Sequence, residues 1–340
     1  MARLPSFDSE IEQARADANA VQDLSSLMAQ TLVAVPEGSS EEVFAPQTAQ
    51  FAELQMLEAK FQDRILAFVN GLGARTDAAY AAFDRVDDVT RSETFFSFFK
   101  RRAAVSFKVV RARKLVIADT LKAILLEAAL VHGLLQARKE QATALRSTVE
   151  PNLVASMETR RGIVSDMDEA RQKDKVLAAS LATLQRKISD ARDETRLDQW
   201  KAEEADAAAQ RETVLSERKR LNARHEVLNH QAILLGNVID LLNDEISIHA
   251  LLLNKLNIEA ERCIHLYDAA FGSLEPLLAD AQSQSPTAEG AEASMPLGIF
   301  DELLTLHGQG IVTLQDIQTR KHRADEALLR RRELTSNAAG

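Results

Sequence analysis

The chain has 340 residues and is 46% hydrophobic, 27% charged and 5% aromatic, with 12 glycines, 7 prolines, one cysteine and a formal charge of −10. Little glycine and proline beside abundant Ala, Leu, Glu, Arg and Gln marks an all-helical protein. The negative balance argues against bulk nucleic-acid binding, which needs a basic surface against phosphate, and a lone cysteine excludes a disulfide scaffold within one chain.

The start, MARLPSFDSEIEQ, has no apolar run after its Arg and does not read as a secretory signal. A helix is expected from Ser6, a candidate N-cap, with Ile11, Ala14, Ala18, Val21 and Leu24 near a 3.6-residue period. Pro36, Gly38, Ser39 and Ser40 break it, and an acidic linker runs to Pro46. The next helix carries Phe51, Leu54, Leu57, Phe61, Ile65 and Phe68 on one face, and Gly71 and Gly73 are expected to end it. Residues 1–90 hold 15 acids and 6 bases.

The charge then reverses. Between Thr94 and Ala118 there are seven cations and no acid, interleaved with Phe95, Phe96, Phe98, Phe99 and Phe107. On a helical wheel Lys100, Arg101, Lys108 and Arg111 cluster on one side. Phe95, Phe96, Phe99, Phe107 and Val110 lie broadly opposite, and Arg102, Arg113 and Lys114 fall outside this pattern. The same helix is expected from Ser92 to Val149, with Pro151 marking a turn. Its richest apolar window, Leu115 to Leu135, contains Asp119, Lys122 and Glu127 and reads as a buried helix; no stretch approaches the ~20 apolar residues of a membrane span.

From Asn152 to Glu275 there is no proline. Leu177, Leu181, Leu184, Ile188, Ala191 and Thr195 form a first seam, which fades in the polar stretch Asp193 to Thr213. From Val214 to Cys263 a heptad seam runs through Leu221, Leu228, Leu235, Ile239, Leu242, Ile246, Leu253 and Leu256. At ~1.5 Å per residue this segment alone spans roughly 75 Å. The reading is two long helices with a tip or polar kink near residues 193–205, one uninterrupted helix being the alternative. The apolar windows 115–135 and 232–256 are each too apolar to stand alone and can fill one bundle core. A flexible linker follows, then a last helix from Leu297 ending in the basic run Arg330, Arg331 and Arg332.

Candidate chemistry is sparse. His225-Glu226-Val227-Leu228-Asn229-His230 is a near miss for the zinc-protease H-E-x-x-H; with a spacing of five, the two rings point about 140° apart on a straight helix. Glu245 with His249, and Glu261 with His265, are four apart rather than the three of a di-iron bundle, and read as helix-surface pairs. Cys263 on the seam reads as a small buried hydrophobe and Trp200 as an anchor packing over the inter-helix turn. No phosphate-binding glycine loop and no nucleophile elbow is present. Catalytic, cofactor-binding and metal-binding residues are therefore expected to be none.

The basic aromatic stretch is the functional candidate. Phe95, Phe96, Phe99, Lys100, Arg101, Arg102, Phe107, Lys108 and Arg111 suit an anionic membrane surface, with cations at headgroups and rings at the hydrocarbon boundary. The structural alternative has the rings in the bundle core and the cations paired with the acidic N-terminal region.

FFSFFKRR at Phe95 to Arg102 and the final FDELLTLHGQGIVTLQDIQTRKHRADEALLRRR from Phe300 to Arg332 resemble the TelA-like toxic-anion (tellurite) resistance proteins of bacteria. The resemblance implies an all-helical cytosolic rod with a role in envelope or oxyanion stress, and carries over no catalytic residue. One departure is that the family's Pro-hydrophobic-Trp segment has no counterpart here, since Trp200 is not beside a proline.

The expected fold is therefore all-α, an elongated antiparallel helical bundle or coiled-coil rod. Its parts are an N-terminal helix and acidic linker (1–46), a helical segment (47–90), a long-helix bundle (91–279), a linker (280–296) and a C-terminal helix with basic tail (297–340). The expected function is a non-enzymatic scaffold at the cytosolic face of a membrane, possible as a homodimer. The alternatives are a BAR-like membrane-shaping dimer, a protein-binding adaptor using the heptad faces, and a helical toxin subunit.

Overall fold

The computed structural model describes residues 8–34, 44–85, 100–190, 194–271 and 314–338; for residues 8, 100–113, 194–195, 269–271, 314 and 332–338 it describes the backbone alone. Five helices account for these: α1 (Asp8–Val33), α2 (Ala45–Asp84), α3 (Lys100–Ser189), α4 (Glu194–Phe271) and α5 (Leu314–Ala338). There is no strand among the described residues, so the all-α expectation holds.

The chain divides into two compact units. Unit 1 comprises Met1–Asp23, Gln55–Thr143 and Asn243–Gly340; unit 2 comprises Leu24–Leu54 and Ala144–Leu242. In unit 1 all five helices contribute. Phe61, Ile65 and Leu72 of α2, Leu121, Ile124, Leu125 and Leu135 of α3, and Leu252, Leu256 and Cys263 of α4 form its core, with Ala14 of α1 and Leu328 of α5 at the edges. The apolar window of α3 thus sits in this core, against residues 252–267 of α4 rather than the whole of 232–256. Asp17 meets Lys60 and Arg64, and Gln13 meets Arg64, so α1 and α2 are antiparallel. Glu58 faces His249, Asn70 faces Lys255 and Thr76 faces Cys263, so α2 and α4 run parallel. Glu261 with Arg320, and Lys255 with Asp325, set α5 antiparallel to α4.

Unit 2 contains an antiparallel α3–α4 hairpin. Ser156 donates to Gln231, Arg160 to Asn229, and Gln185 to Glu204, while Asp174 accepts from Arg211 and Arg218 at 2.8 and 3.0 Å. α3 ends at Ser189 and α4 begins at Glu194, so of the expected tip or kink at 193–205 the residues from Glu194 onward are helical. Gln231 also donates to the Leu32 carbonyl at 2.6 Å, and Phe44 stacks on His230 with ring centroids 6.2 Å apart. These two contacts join the end of α1 and the start of α2 to the hairpin.

Two expected helix stops do not stop. α3 continues through Pro151. The proline lies on the exposed face, so the Ser147 carbonyl that loses its partner is open to water. Side-chain donors reinforce this turn: Thr148 Oγ1 bonds Ala144 O at 3.1 Å and Asn152 Nδ2 bonds Thr148 O at 2.7 Å. Likewise α2 passes through Gly71 and Gly73 to Asp84. At Gly73 the reason is a close approach: a Cβ there would stand 3.1 Å from Glu259 Oε1 and 3.2 Å from its Cδ. Glu259 is buried and held by Arg262 at 2.6 Å and Lys321 at 3.0 Å, so it has little room to yield.

The same substitution is therefore expected to change sign between two glycines. Gly162 has nothing within 4 Å of an added Cβ, so G162A gains helix propensity, up to about 1 kcal/mol. G73A loses more than that gain to the displacement of Glu259, and G73V loses more again. Urea denaturation of the three variants checks the order; a G73A protein as stable as G162A contradicts it.

Asp17 supplies a pH dependence. Burial alone would raise its carboxyl, but hydrogen bonds from Lys60 and Arg64, each 2.8 Å, outweigh it and hold the group below the usual carboxylate range. A depressed carboxylate stabilises the fold above its unfolded value, about 3.9, and the effect is lost as pH falls through the folded value. D17N is expected to lower Tm at pH 7, with the gap to wild type closing below about pH 4.

Candidate functional site

The apolar seams of three helices in unit 1 are each interrupted, in register, by charge. On α2, Glu58 follows Leu54 and precedes Phe61 and Ile65. On α3, Arg138 follows Val131 and Leu135. On α4, Glu245 and His249 precede Leu252 and Leu256. The helical period that turns the leucines inward turns these groups inward as well. Arg138, Glu245 and Glu58 are 2% exposed and His249 is 0% exposed.

Arg138 and Glu245 face each other twice. Nη2 donates to Oε2 at 3.1 Å, and Nε stands 2.7 Å from Oε1 but off the hydrogen-bond axis. His249 lies between the two carboxyls, with Nε2 3.4 Å from Glu58 Oε1 and Nδ1 3.8 Å from Glu245 Oε1. Gln62 donates to Glu58 Oε1 at 2.7 Å, and the Phe61 ring meets the imidazole edge-on with centroids 5.5 Å apart. Burial, then the nearby Glu58 carboxylate, push Glu245 up to about 8 against the pull of Arg138. Burial acts on Glu58 in the same sense, but His249 beside it, with Gln62 and Arg138, holds it low. One carboxyl raised and one lowered is a pattern seen in acid–base pairs. Here, however, a groove between α1 and α3, lined by Arg15, Ala18, Leu130 and Gly133, reaches Arg138 and neither carboxylate.

A second polar layer lies further along α4. Lys255 bonds Asn70 at 2.7 Å and Asp325 at 2.5 Å, and Arg262 joins Glu259 to Asp77. Tyr80 donates to the Arg262 carbonyl at 2.9 Å. Cys263 is fully buried against Thr76 at 3.2 Å, and burial pushes its thiol up to about 12, so it stays protonated and unreactive.

Several residues lie elsewhere than the sequence places them. Glu245 and His249 are core groups, not a helix-surface pair, because Arg138 and Glu58 on neighbouring helices partner them. Glu261 pairs across to Arg320 of α5. Of the seam, Leu221, Leu235, Leu242, Leu253 and Leu256 are buried, whereas Leu228, Ile239 and Ile246 are half-buried beside the more deeply buried Val227, Val238 and Glu245. His225 and Trp200 are half-buried. Phe95, Phe96 and Phe99 lie outside the described residues; Lys100, Arg101, Arg102, Phe107, Lys108 and Arg111 lie on the backbone of α3, their side chains outside the description. No helix among the described residues is long and apolar enough to cross a membrane. Glu58 and Arg138 carry no sequence motif, and the signal for them is a charge in phase with an apolar stripe.

Removing one side of the buried pair strands the other. R138M is expected to cost about 3–5 kcal/mol by urea denaturation, and the double variant R138M/E245L to recover most of it. A double variant no better than the single would show that the two groups do not act as a pair.

No protein-family model and no curated protein matches the chain. Two solved structures similar to it are crystal forms of soluble SmhA of the tripartite alpha-pore forming toxin, Smh, from Serratia marcescens. Form 2 is 12% identical, the match covering 95% of this chain and 96% of that chain with a TM-score of 0.36. Form 1 is 14% identical, covering 97% and 96% with a TM-score of 0.33. The likeness is one of helical fold and carries no activity to this chain.

Proposed function

We propose that this is a non-enzymatic helical protein acting at an anionic membrane surface, with the cationic start of α3 as its contact. The observation that carries this reading is how α3 begins. The helix is continuous from Lys100, so its cations stand on one helical stretch with the core window that follows. Where side chains are described again, Leu115 is 54% and Val116 45% exposed, next to Lys114. Cations leading into exposed aliphatic groups on a single helix suit headgroups and acyl chains together. The TelA-like resemblance points such a contact toward envelope or toxic-anion stress, at the cytosolic face.

A helical toxin subunit, the class to which SmhA belongs, is a second reading. It is favoured by the continuity of the basic start of α3 with the buried apolar run Ile117 to Leu135. Such a subunit makes the same first contact, then has to release that run from unit 1.

Co-sedimentation with vesicles tests both. The full chain is expected to pellet with anionic vesicles at low salt, to be released at high salt, and to ignore neutral vesicles. At ~1 kcal/mol per cation, reversing Lys100, Arg101 and Arg102 to Glu weakens binding at least about 100-fold. Absence of pelleting sinks the membrane reading. Release of a dye trapped in the same vesicles selects the toxin subunit over the peripheral protein.

A further inference from the structure

We propose that Glu58, Glu245 and His249 form a binding site for a divalent first-row transition ion, with Zn2+ as the expected occupant and Arg138 holding Glu245 in place. Five atoms of the layer, Arg138 Nε, Glu58 Oε2, Glu245 Oε1 and both ring nitrogens of His249, are buried with no hydrogen-bond partner among the described residues, and Arg138 Nε stands 2.7 Å from Glu245 Oε1. A buried polar atom without a partner is costly and rare, and the Glu58 oxygen and the imidazole nitrogens among these call for a ligand. One donor atom from each of the three residues lies within 4.8 Å of the others. The ligand–ligand edges of a tetrahedral shell with bonds of ~2.0–2.1 Å are about 3.3 Å. His249 Nε2 and Glu58 Oε1 already stand 3.4 Å apart, and closing the shell takes a turn of the Glu245 carboxyl, now 3.8 Å from Nδ1, toward the same ion.

The surroundings have the features of a metal centre. The guanidinium bonds Glu245 Oε2 at 3.1 Å, as an outer-shell partner does for a ligating carboxylate, and its Nε stands 2.7 Å from Oε1. Gln62 steadies Glu58, and the Phe61 ring walls the imidazole. A proton on the imidazole is the other candidate. It would leave N–H donors at 3.4 and 3.8 Å from their acceptors, beyond ordinary hydrogen-bond length. An ion bonded at ~2 Å draws all three donors in. One imidazole with two carboxylates is a borderline N/O set that suits Zn2+ and not the all-oxygen preference of Ca2+.

The full chain, stripped with EDTA and exchanged into chelator-free buffer, is titrated with Zn2+ and with Co2+. Expected are uptake of a single equivalent, a rise in Tm and a Co2+ d–d absorption band. In E58Q and H249Q, checked for wild-type helicity by circular dichroism, the apparent Kd rises at least about 100-fold. H322Q, which removes an exposed histidine 3.2 Å from Glu326, leaves it unchanged. Wild-type protein that takes up no ion overturns the proposal without any variant having to fold, and leaves the layer to protons. Uptake that survives in H249Q, or is lost in H322Q, overturns it by placing the ion elsewhere.

Discussion

Arg138 and Glu245 are each 2% exposed, and neither has another place to go. A leucine can slip one helical turn along a seam and still be buried. A buried guanidinium cannot, because away from its carboxylate it keeps the cost of leaving water and loses the return. The pair therefore sets where α3 stands against α4 within unit 1. Lys255 sets α4 against α2 and α5 in the same way, through Asn70 and Asp325, and Arg262 with Lys321 repeats the device at Glu259 and Asp77. Apolar burial supplies most of the driving force in a helical bundle, but these polar layers choose one register among many that bury similar area.

The chemistry of unit 1 follows from this choice. Groups brought inward to fix register are also groups that bind protons and ions. The thiol of Cys263, about four turns further along α4, shows the opposite outcome. It is fully buried with the Thr76 hydroxyl at 3.2 Å, and it remains a packing group.

The class of fold was legible in composition and in the helical period alone. The phase of the α4 seam was legible only in part. Sequence reasoning placed Ile239 and Ile246 on the seam, since isoleucine outranks a charged residue for a core position. The deeper positions are taken by Val238 and Glu245, because α3 supplies the one partner that makes an inward glutamate tolerable. That partner is more than a hundred residues away, and nothing local announces it. Pro151 and Gly73 misled for a related reason: both are local stop signals, overridden where packing holds the helix on either side. Glu58 could have been found by asking which charges keep step with the apolar face between Leu54 and Ile65. The basic stretch was legible as composition, and its backbone is helical from Lys100, the expected start at Ser92 lying outside the described residues.

Unit 1 is drawn from three separate pieces of chain, Met1–Asp23, Gln55–Thr143 and Asn243–Gly340. Thr76 meets Cys263 across 187 residues, whereas Gln185 meets Glu204 across only 19. During synthesis, then, α1 and α2 emerge long before their partners on α4 and α5 exist. The hairpin of unit 2 can zip from its tip as soon as both arms are made, since its contacts are local in sequence. Unit 1 has to wait until α4 and α5 have been made. Until then the inward faces of α2 and α3, with their buried charges as well as their leucines, stand in the open, and this is the interval in which the nascent chain needs protection from aggregation.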